Sequence, residues 1–330
     1  MMPFSLFIHY KCKGADDTAN FTFLDYFYPR YSINYHSLIQ SLHPMSFFGD
    51  YKEKLYVKLR RTLFLENIDH KLAKADHLQI DDYLQRHLFN NPRYQADDKL
   101  NRFEFQAFSQ FGEDGIIEEI FRRIGTTNQY FVEFGVETGV ETNTTYLLYK
   151  GWKGLWLDGS DENINTIKQN FSKAFAKGNL NAIQGFITAE NIEQLFQKGN
   201  VPVEFDLLSI DIDRNDYYVW DAIRHYQPRV VIIEYNSIFR PGCEFVVDYD
   251  ANAMWDGTSN TSASLESLYQ LGLKKGYKLV ASTFSGVNAF FVREDLIKDK
   301  FTGPFTAENH FESPKYFLYH TPGHPRKVVL

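Results

Sequence analysis

Residues 277–292 read Tyr277-Lys278-Leu279-Val280-Ala281, then Ser282-Thr283-Phe284-Ser285-Gly286, then Val287-Asn288-Ala289-Phe290-Phe291-Val292. The two outer runs have the length and composition of β-strands. A parallel crossover needs a dozen residues or more, and the gap between them is far shorter. The second run must therefore return antiparallel beside the first. The chain predicts a C-terminal hairpin.

Upstream, strands and helices alternate. Strands are predicted at 130–134, 154–158, 181–186, 205–211 and 229–234. Arg229-Val230-Val231-Ile232-Ile233-Glu234 is almost continuously apolar, as strands are when helices cover both faces of a sheet. Between them, Ile116, Ile117, Ile120, Phe121 and Ile124 fall on one helical face, with Glu113 and Asp114 in the first turn where the helix dipole favours acids. A helix is expected from near Asn143-Thr144, both acceptable caps. Others are expected at 161–175, 189–196, 217–226 and about 262–275. The fold class is α/β: a doubly wound, Rossmann-like parallel sheet closed by the antiparallel hairpin. The composition changes near residue 100. Residues 1–100 form an expected helical N-terminal extension, with helix-like stretches at 50–64 and 80–90 and a break at Asn91-Pro92. Residues 101–297 form the sheet domain, with a lid insertion at 237–261, and 298–330 a tail packed on it.

The bulk numbers exclude several classes. The chain has 330 residues, 44% of them hydrophobic, so wholesale disorder is not expected. Its 42 acids against 35 bases give a net charge of −7, a poor balance for neutralising phosphates, and no nucleic acid is expected as a partner. Cys12 and Cys243 form neither a disulfide framework nor a zinc site. The N-terminal run lacks a basic n-region and a small-residue cleavage site, and no apolar stretch nears the ~20 residues of a membrane helix. A soluble, cytoplasmic protein is the expectation. Lys52, Lys54, Lys58, Arg60 and Arg61 alternate with apolar residues, which reads as a solvated helix face; peripheral membrane contact through 52–61, or a homo-oligomer, stays open. The aromatic share is high at 17%. It fits a thick core or rings that stack on flat or sugar-like ligands.

The chemistry gathers at strand ends. The first strand closes Glu133-Phe134-Gly135-Val136-Glu137-Thr138-Gly139. Its glycines let the backbone turn tightly and approach a ligand. A carboxylate beside such a loop repels a pyrophosphate and attracts an ammonium or sulfonium. S-adenosylmethionine (SAM) carries both cations and no phosphate. Asp158 ends the second strand 19 positions after Gly139, where an acid can hold ribose hydroxyls. A plain strand-turn-helix corner would show the same glycines. Asp211 and Glu234 end the fourth and fifth strands at the same edge. Either could act as general base toward a hydroxyl. Alternatively Asp211, Glu234 and Asn236 could share a hard cation such as Mg²⁺, while Asp213 or Asp216 could cap the next helix. The insertion's Phe239, Arg240, Phe245, Tyr249 and Trp255, with Asp248, Asp250 and Asp256, suit a polyol or an ordinary surface lid. His310, His320 and His324 read as surface or core residues.

Ser109-Gln110-Phe111-Gly112-Glu113-Asp114, the 131–139 loop with Asn143-Thr144, and Gly151-Trp152-Lys153-Gly154 together resemble the FkbM-like SAM-dependent methyltransferases. Ser209-Ile210-Asp211-Ile212-Asp213 with Asn215-Asp216-Tyr217, and Val287–Arg293, extend the likeness over roughly 100–295. The resemblance implies a SAM methyltransferase fold, SAM as cofactor, and O-methylation of a sugar, glycan or small hydroxylated metabolite. It places Glu133, Gly135 and Gly139 at the methionine half, Asp158 at the ribose, and Gln110 and Asn143 close by. Glu137 stands where many methyltransferases have a second loop glycine, and Arg214 where relatives often have glycine. Two other readings remain: a non-catalytic module binding a glycan or partner, and a transferase using a nucleotide-sugar.

Overall fold

Phe131, Val132 and Phe134 are fully buried, as are Leu207, Leu208 and Ile210 and all of Val230–Ile233. Each such side chain contributes roughly 1.5–3 kcal/mol through burial. Strands this apolar on both faces need cover on both sides, which a helix layer above and below the sheet supplies. The computed structural model describes residues 65–330 apart from 322 and 329, together with 54, 57 and 58. The expected helix at 50–64 and the basic stretch 52–61 thus lie almost wholly outside the described residues. The chain divides into two units, 1–71 and 72–330, and the second contains the whole sheet.

The elements in order are α1 (Leu65–Leu84), α2 (Glu113–Ile124), β1 (Tyr130–Phe134), α3 (Thr145–Tyr149), β2 (Lys153–Asp158), α4 (Asp161–Asn170), α5 (Ser172–Ala176) and β3 (Leu180–Gln184). Then come α6 (Ile192–Lys198), β4 (Glu204–Ile210), α7 (Asp216–Ala222), β5 (Gln227–Glu234), α8 (Leu265–Lys274), β6 (Tyr277–Ser282), β7 (Asn288–Arg293) and α9 (Ala307–His310). The sheet order is β3-β2-β1-β4-β5-β7-β6. β1 to β5 pair in parallel, and β7 runs antiparallel to both β5 and β6. This is the expected Rossmann-like parallel sheet, seven-stranded and closed by the antiparallel hairpin.

Alternation along each strand sorts the core. Val132, Phe134, Val231 and Ile233 face one layer with Phe196, Trp220 and Leu268. Phe131, Trp156, Val230 and Ile232 face the other with Ile116, Ile120 and Ile167. A third cluster joins Ile80, Leu88, Tyr94, Phe111, Phe284 and Leu318, so residues just before 100 pack against the hairpin turn.

Several boundaries differ from the expectation. The helix predicted over 161–175 breaks at Phe171, whose non-helical backbone turns a fully buried ring onto Trp156, centroids 4.7 Å apart. β3 stops at Gln184, leaving Phe186 outside the strand and 45% exposed. α6 starts three residues late, because Asn191 Oδ1 accepts the Thr188 N–H and makes a separate turn. α7 ends at Ala222 instead of near Tyr226. Neither Asn143 nor Thr144 caps α3 with its side chain; the Thr144 hydroxyl and the Asn143 backbone N–H serve Glu133, and the Asn143 amide goes to Ser209. The tail packs on the domain: Leu330 pairs with Asn170 and Lys173, and Arg326 donates to the Phe108 and Ser109 carbonyls at 2.8 and 2.9 Å.

Candidate functional site

β1, β2, β4 and β5 run in parallel, so their carboxyl ends share one edge. Glu133, Asp158, Asp211 and Glu234 stand there, at or just beyond the strand ends. In an open α/β sheet this crevice is where ligands bind.

Glu133 is buried, and both its oxygens are engaged. Oε1 accepts the Asn143 N–H at 2.8 Å, and Oε2 accepts the Thr144 hydroxyl. Thr144 in turn accepts the Trp156 indole N–H at 2.8 Å. Asn143 Nδ2 donates to Ser209 Oγ at 3.0 Å, tying β1 to β4. Burial raises the Glu133 pKa to about 7, against these hydrogen bonds, which lower it. The expectation was a carboxylate aimed at a cation. The structure shows one that shapes the loop from within.

Gly135 and Gly139 have φ of +66° and +76°. A Cβ on Gly135 would lie 1.8 Å from the Asp211 carbonyl oxygen, and one on Gly139 2.6 Å from the Trp156 ring. The chain's own packing therefore demands both glycines. Gly135 is nevertheless exposed at the edge. Glu137, where a further glycine was looked for, also adopts a left-handed φ of 49°. Its N–H donates to Asp158 Oδ2 at 2.8 Å. Asp158 Oδ1 accepts from Ser160 N at 2.8 Å and Asn163 Nδ2 at 3.0 Å. Two carboxylate oxygens offer about four acceptor positions, so Asp158 keeps capacity for one more donor.

The segment carrying Gln110 is shaped by acids. Asp114 Oδ2 accepts the N–H groups of Ala107, Phe108 and Ser109 at 2.7–2.9 Å. Glu113 takes Phe111 N and Asn288 Nδ2, both at 2.9 Å, and so links α2 to β7. Gln110 is half-buried beside this turn, its backbone carbonyl held by Gln106 Nε2 at 2.7 Å.

Asp211, Asp213 and Glu234 can bring carboxylate oxygens within 4.8 Å of one another. Burial first, then the charges of Glu234, Asp213 and Asp216, hold Asp211 well above the usual carboxylate range. The expected metal set with Asn236 is not what forms. Asn236 Nδ2 donates to the Ser259 and Thr261 carbonyls at 2.8 and 3.0 Å, and its Oδ1 accepts the Ile238 N–H. It pins the insertion, and Asp213 takes its place in the cluster. We assign no metal there. Asp216 does not cap α7 but turns back to accept the Ile212 N–H at 2.9 Å.

The 237–261 insertion is tethered to the β4–α7 loop and α7. Arg214 donates to the Asn260 and Asp248 carbonyls, Asn215 to Asp250 O at 2.8 Å, and Tyr218 to Val247 O at 2.9 Å. This accounts for an arginine where glycine was looked for. Its rings are largely used internally. Phe239 and Phe245 stack at 4.2 Å, and the Tyr249 hydroxyl donates to Glu190 at 2.6 Å. Asp250 and Asp256 bond their own turns. Trp255 and Met254 remain exposed. Of the histidines, His310 is buried and its pKa falls to about 3, mainly through burial.

Two residues of the site escaped the sequence reading. Phe186 was counted into a strand, yet its ring lies 3.6 Å from where a Cβ on Gly159 would sit, beside the end of β2. Only its distance past the fourth position of β3 could have flagged it. Arg326 supports the 108–109 carbonyls from 217 positions away, and no local signal marks that.

An open glycine-loop backbone, an acid with spare acceptor capacity and an exposed ring lie at one edge of the sheet.

No protein-family model and no curated protein matches the chain. Solved structures resemble it distantly. The glycopeptide N-methyltransferase MtfA complexed with SAM is 13% identical, with TM-score 0.34 over 55% of this chain and 94% of that one. A putative caffeoyl-CoA O-methyltransferase from Staphylococcus aureus is 13% identical, with TM-score 0.40 over 66% and 99%. An O-methyltransferase from Bacillus cereus in complex with S-adenosylhomocysteine (SAH) is 14% identical, with TM-score 0.38 over 64% and 95%. Among the described residues, no helix is long and apolar enough to cross a membrane.

Proposed function

We propose that this chain is a SAM-dependent O-methyltransferase acting on a small hydroxylated metabolite. The observation that supports it best is the convergence of the Gly135 backbone, Asp158 and the Asp211–Glu234 pair on one edge of the sheet. When bound, SAM supplies an electrophilic methyl group. Asp158 would hold the ribose hydroxyls with its remaining acceptor position, and Phe186 would offer a face to the adenine. The exposed Gly135 backbone would border the methionine half. Glu133 acts at one remove, fixing the loop through Asn143 and Thr144. The Asp211–Glu234 pair would accept the proton leaving the acceptor hydroxyl. Burial, and then like-charge crowding, make a proton welcome there. Alignment of acceptor and methyl group would supply much of the rate.

Calorimetry with SAM and SAH tests the reading. Saturable binding that weakens by at least about tenfold in Asp158→Ala supports it. Absence of binding to both would sink it. A response to a nucleotide-sugar without one to SAH would favour the sugar-transferase alternative. SAH binding without methyl transfer to any hydroxylated acceptor would favour a non-catalytic module.

A further inference from the structure

A cavity of about 270 Å³ lies between the end of α1, the 104–112 segment and the β6–β7 turn. None of its walls was singled out as ligand-binding by the sequence. Leu84, Leu88, Phe105, Phe111, Phe284 and Leu318 make it predominantly apolar. Its size narrows the occupant. A cavity of about 150 Å³ suffices for benzene, and drug-sized ligands need roughly 300–1,000 Å³. The space therefore suits a substituted single ring or a fused pair.

Five polar side chains punctuate the wall: Asp81, Glu104, Gln106, Ser285 and His320. Gln106 spends its amide nitrogen on the carbonyls of Ser109, Gln110 and His320, at 3.1, 2.7 and 3.1 Å. Its oxygen remains an acceptor. Glu104 receives Phe284 N at 2.8 Å and Asn101 Nδ2 at 2.9 Å, both on Oε1. The second carboxyl oxygen keeps its own hydrogen-bonding capacity. Burial raises the Glu104 pKa to about 8, helped by Glu113 and Glu312 and opposed by those two hydrogen bonds. Near pH 7 the group is mainly protonated, so its second oxygen can donate a hydrogen bond. A few polar groups set in apolar walls, the Gln106 oxygen among them as an acceptor, match a ring that carries a hydroxyl or N–H.

We propose that this cavity binds an aromatic ligand of one or two rings bearing a hydroxyl or N–H. The proposal does not need the methyl-transfer reading to be right.

Isothermal calorimetry on the full chain, with indole and p-cresol as probes and myo-inositol as a polar control, tests the proposal. Expected is saturable one-site binding of at least one aromatic probe, with no heat from inositol. Leu84→Trp places a ring in the cavity and should weaken that binding by about tenfold or more with unchanged circular dichroism. Should that variant misfold, Leu88→Ala, which enlarges the space, should move the preference from p-cresol toward 2-naphthol by about tenfold. Failure of both aromatic probes to bind overturns the proposal. So does inositol binding of equal strength, undiminished binding in a folded Leu84→Trp, or an unmoved preference in Leu88→Ala.

Discussion

The carbonyl oxygen of Asp211 occupies the space a side chain on Gly135 would need, only 1.8 Å from the position of its Cβ. The loop after β1 and the end of β4 thus close on each other, backbone against side-chain void, at the point where the candidate cofactor and proton acceptor meet. Gly135→Ala adds left-handed strain of about 1–2 kcal/mol and forces two backbones apart. We expect a total loss of about 3 kcal/mol or more, read as a lowered denaturation midpoint. An unchanged midpoint would mean that the two segments separate freely.

Glu133 makes stability depend on pH in a defined direction. Its carboxyl titrates near 7 when folded, against an ordinary value of 4.5. Between those values the folded state holds a proton that the unfolded state has lost, so stability falls as pH rises. Glu133→Gln removes this dependence. Relative to wild type, the variant should gain up to about 3 kcal/mol between pH 4.5 and pH 7.5. Urea titrations across that range check it; parallel curves for the two proteins would contradict the burial argument.

His310 acts at the acid end. Burial, reinforced by Lys99, keeps the ring neutral down to about pH 3, whereas in an unfolded chain it charges near 6.5. Its contribution is complete above 6.5 and is lost as pH falls below that. At pH 5 the loss amounts to about 2 kcal/mol. A His310→Gln variant should show a flatter decline between pH 6.5 and 5, measured by thermal denaturation. An identical slope would show that the ring protonates in the folded state.

Arg214 secures the insertion without belonging to the core. Arg214→Ala should leave the melting transition nearly unmoved while accelerating limited proteolysis within 237–261. Equal cleavage rates would mean that Asn215, Tyr218 and Asn236 hold the segment by themselves.

The sheet was legible because its signals are local and periodic. The near-continuous apolar run of β5 could only be a strand covered on both faces, and the short 282–286 gap allowed no crossover. The line-up of Asp158, Asp211 and Glu234 along one edge followed from parallel strands. Their partners did not. Glu133 turns inward because a buried carboxylate must find donors, and Asn143 and Thr144 supply them from ten and eleven residues on. Asn236 reads as a ligand in sequence, yet the insertion's unpaired carbonyls claim its amide. Asp250 and Asp256 suit either a polyol surface or an ordinary lid in sequence, and in the structure each engages its own turn through Oδ1.

By itself, then, the sequence determined the strand and helix order, the antiparallel closure and the edge at which chemistry collects. These follow from hydrophobic period and loop length, which act between neighbours along the chain. Only the tertiary structure decided which polar atoms remain available at that edge, that Phe186 stands beside β2, and that a ring-sized cavity opens against the hairpin turn. Those depend on hydrogen-bond donors and side-chain volumes brought together from distant positions, such as Arg326 on Ser109 and Phe284 on Glu104.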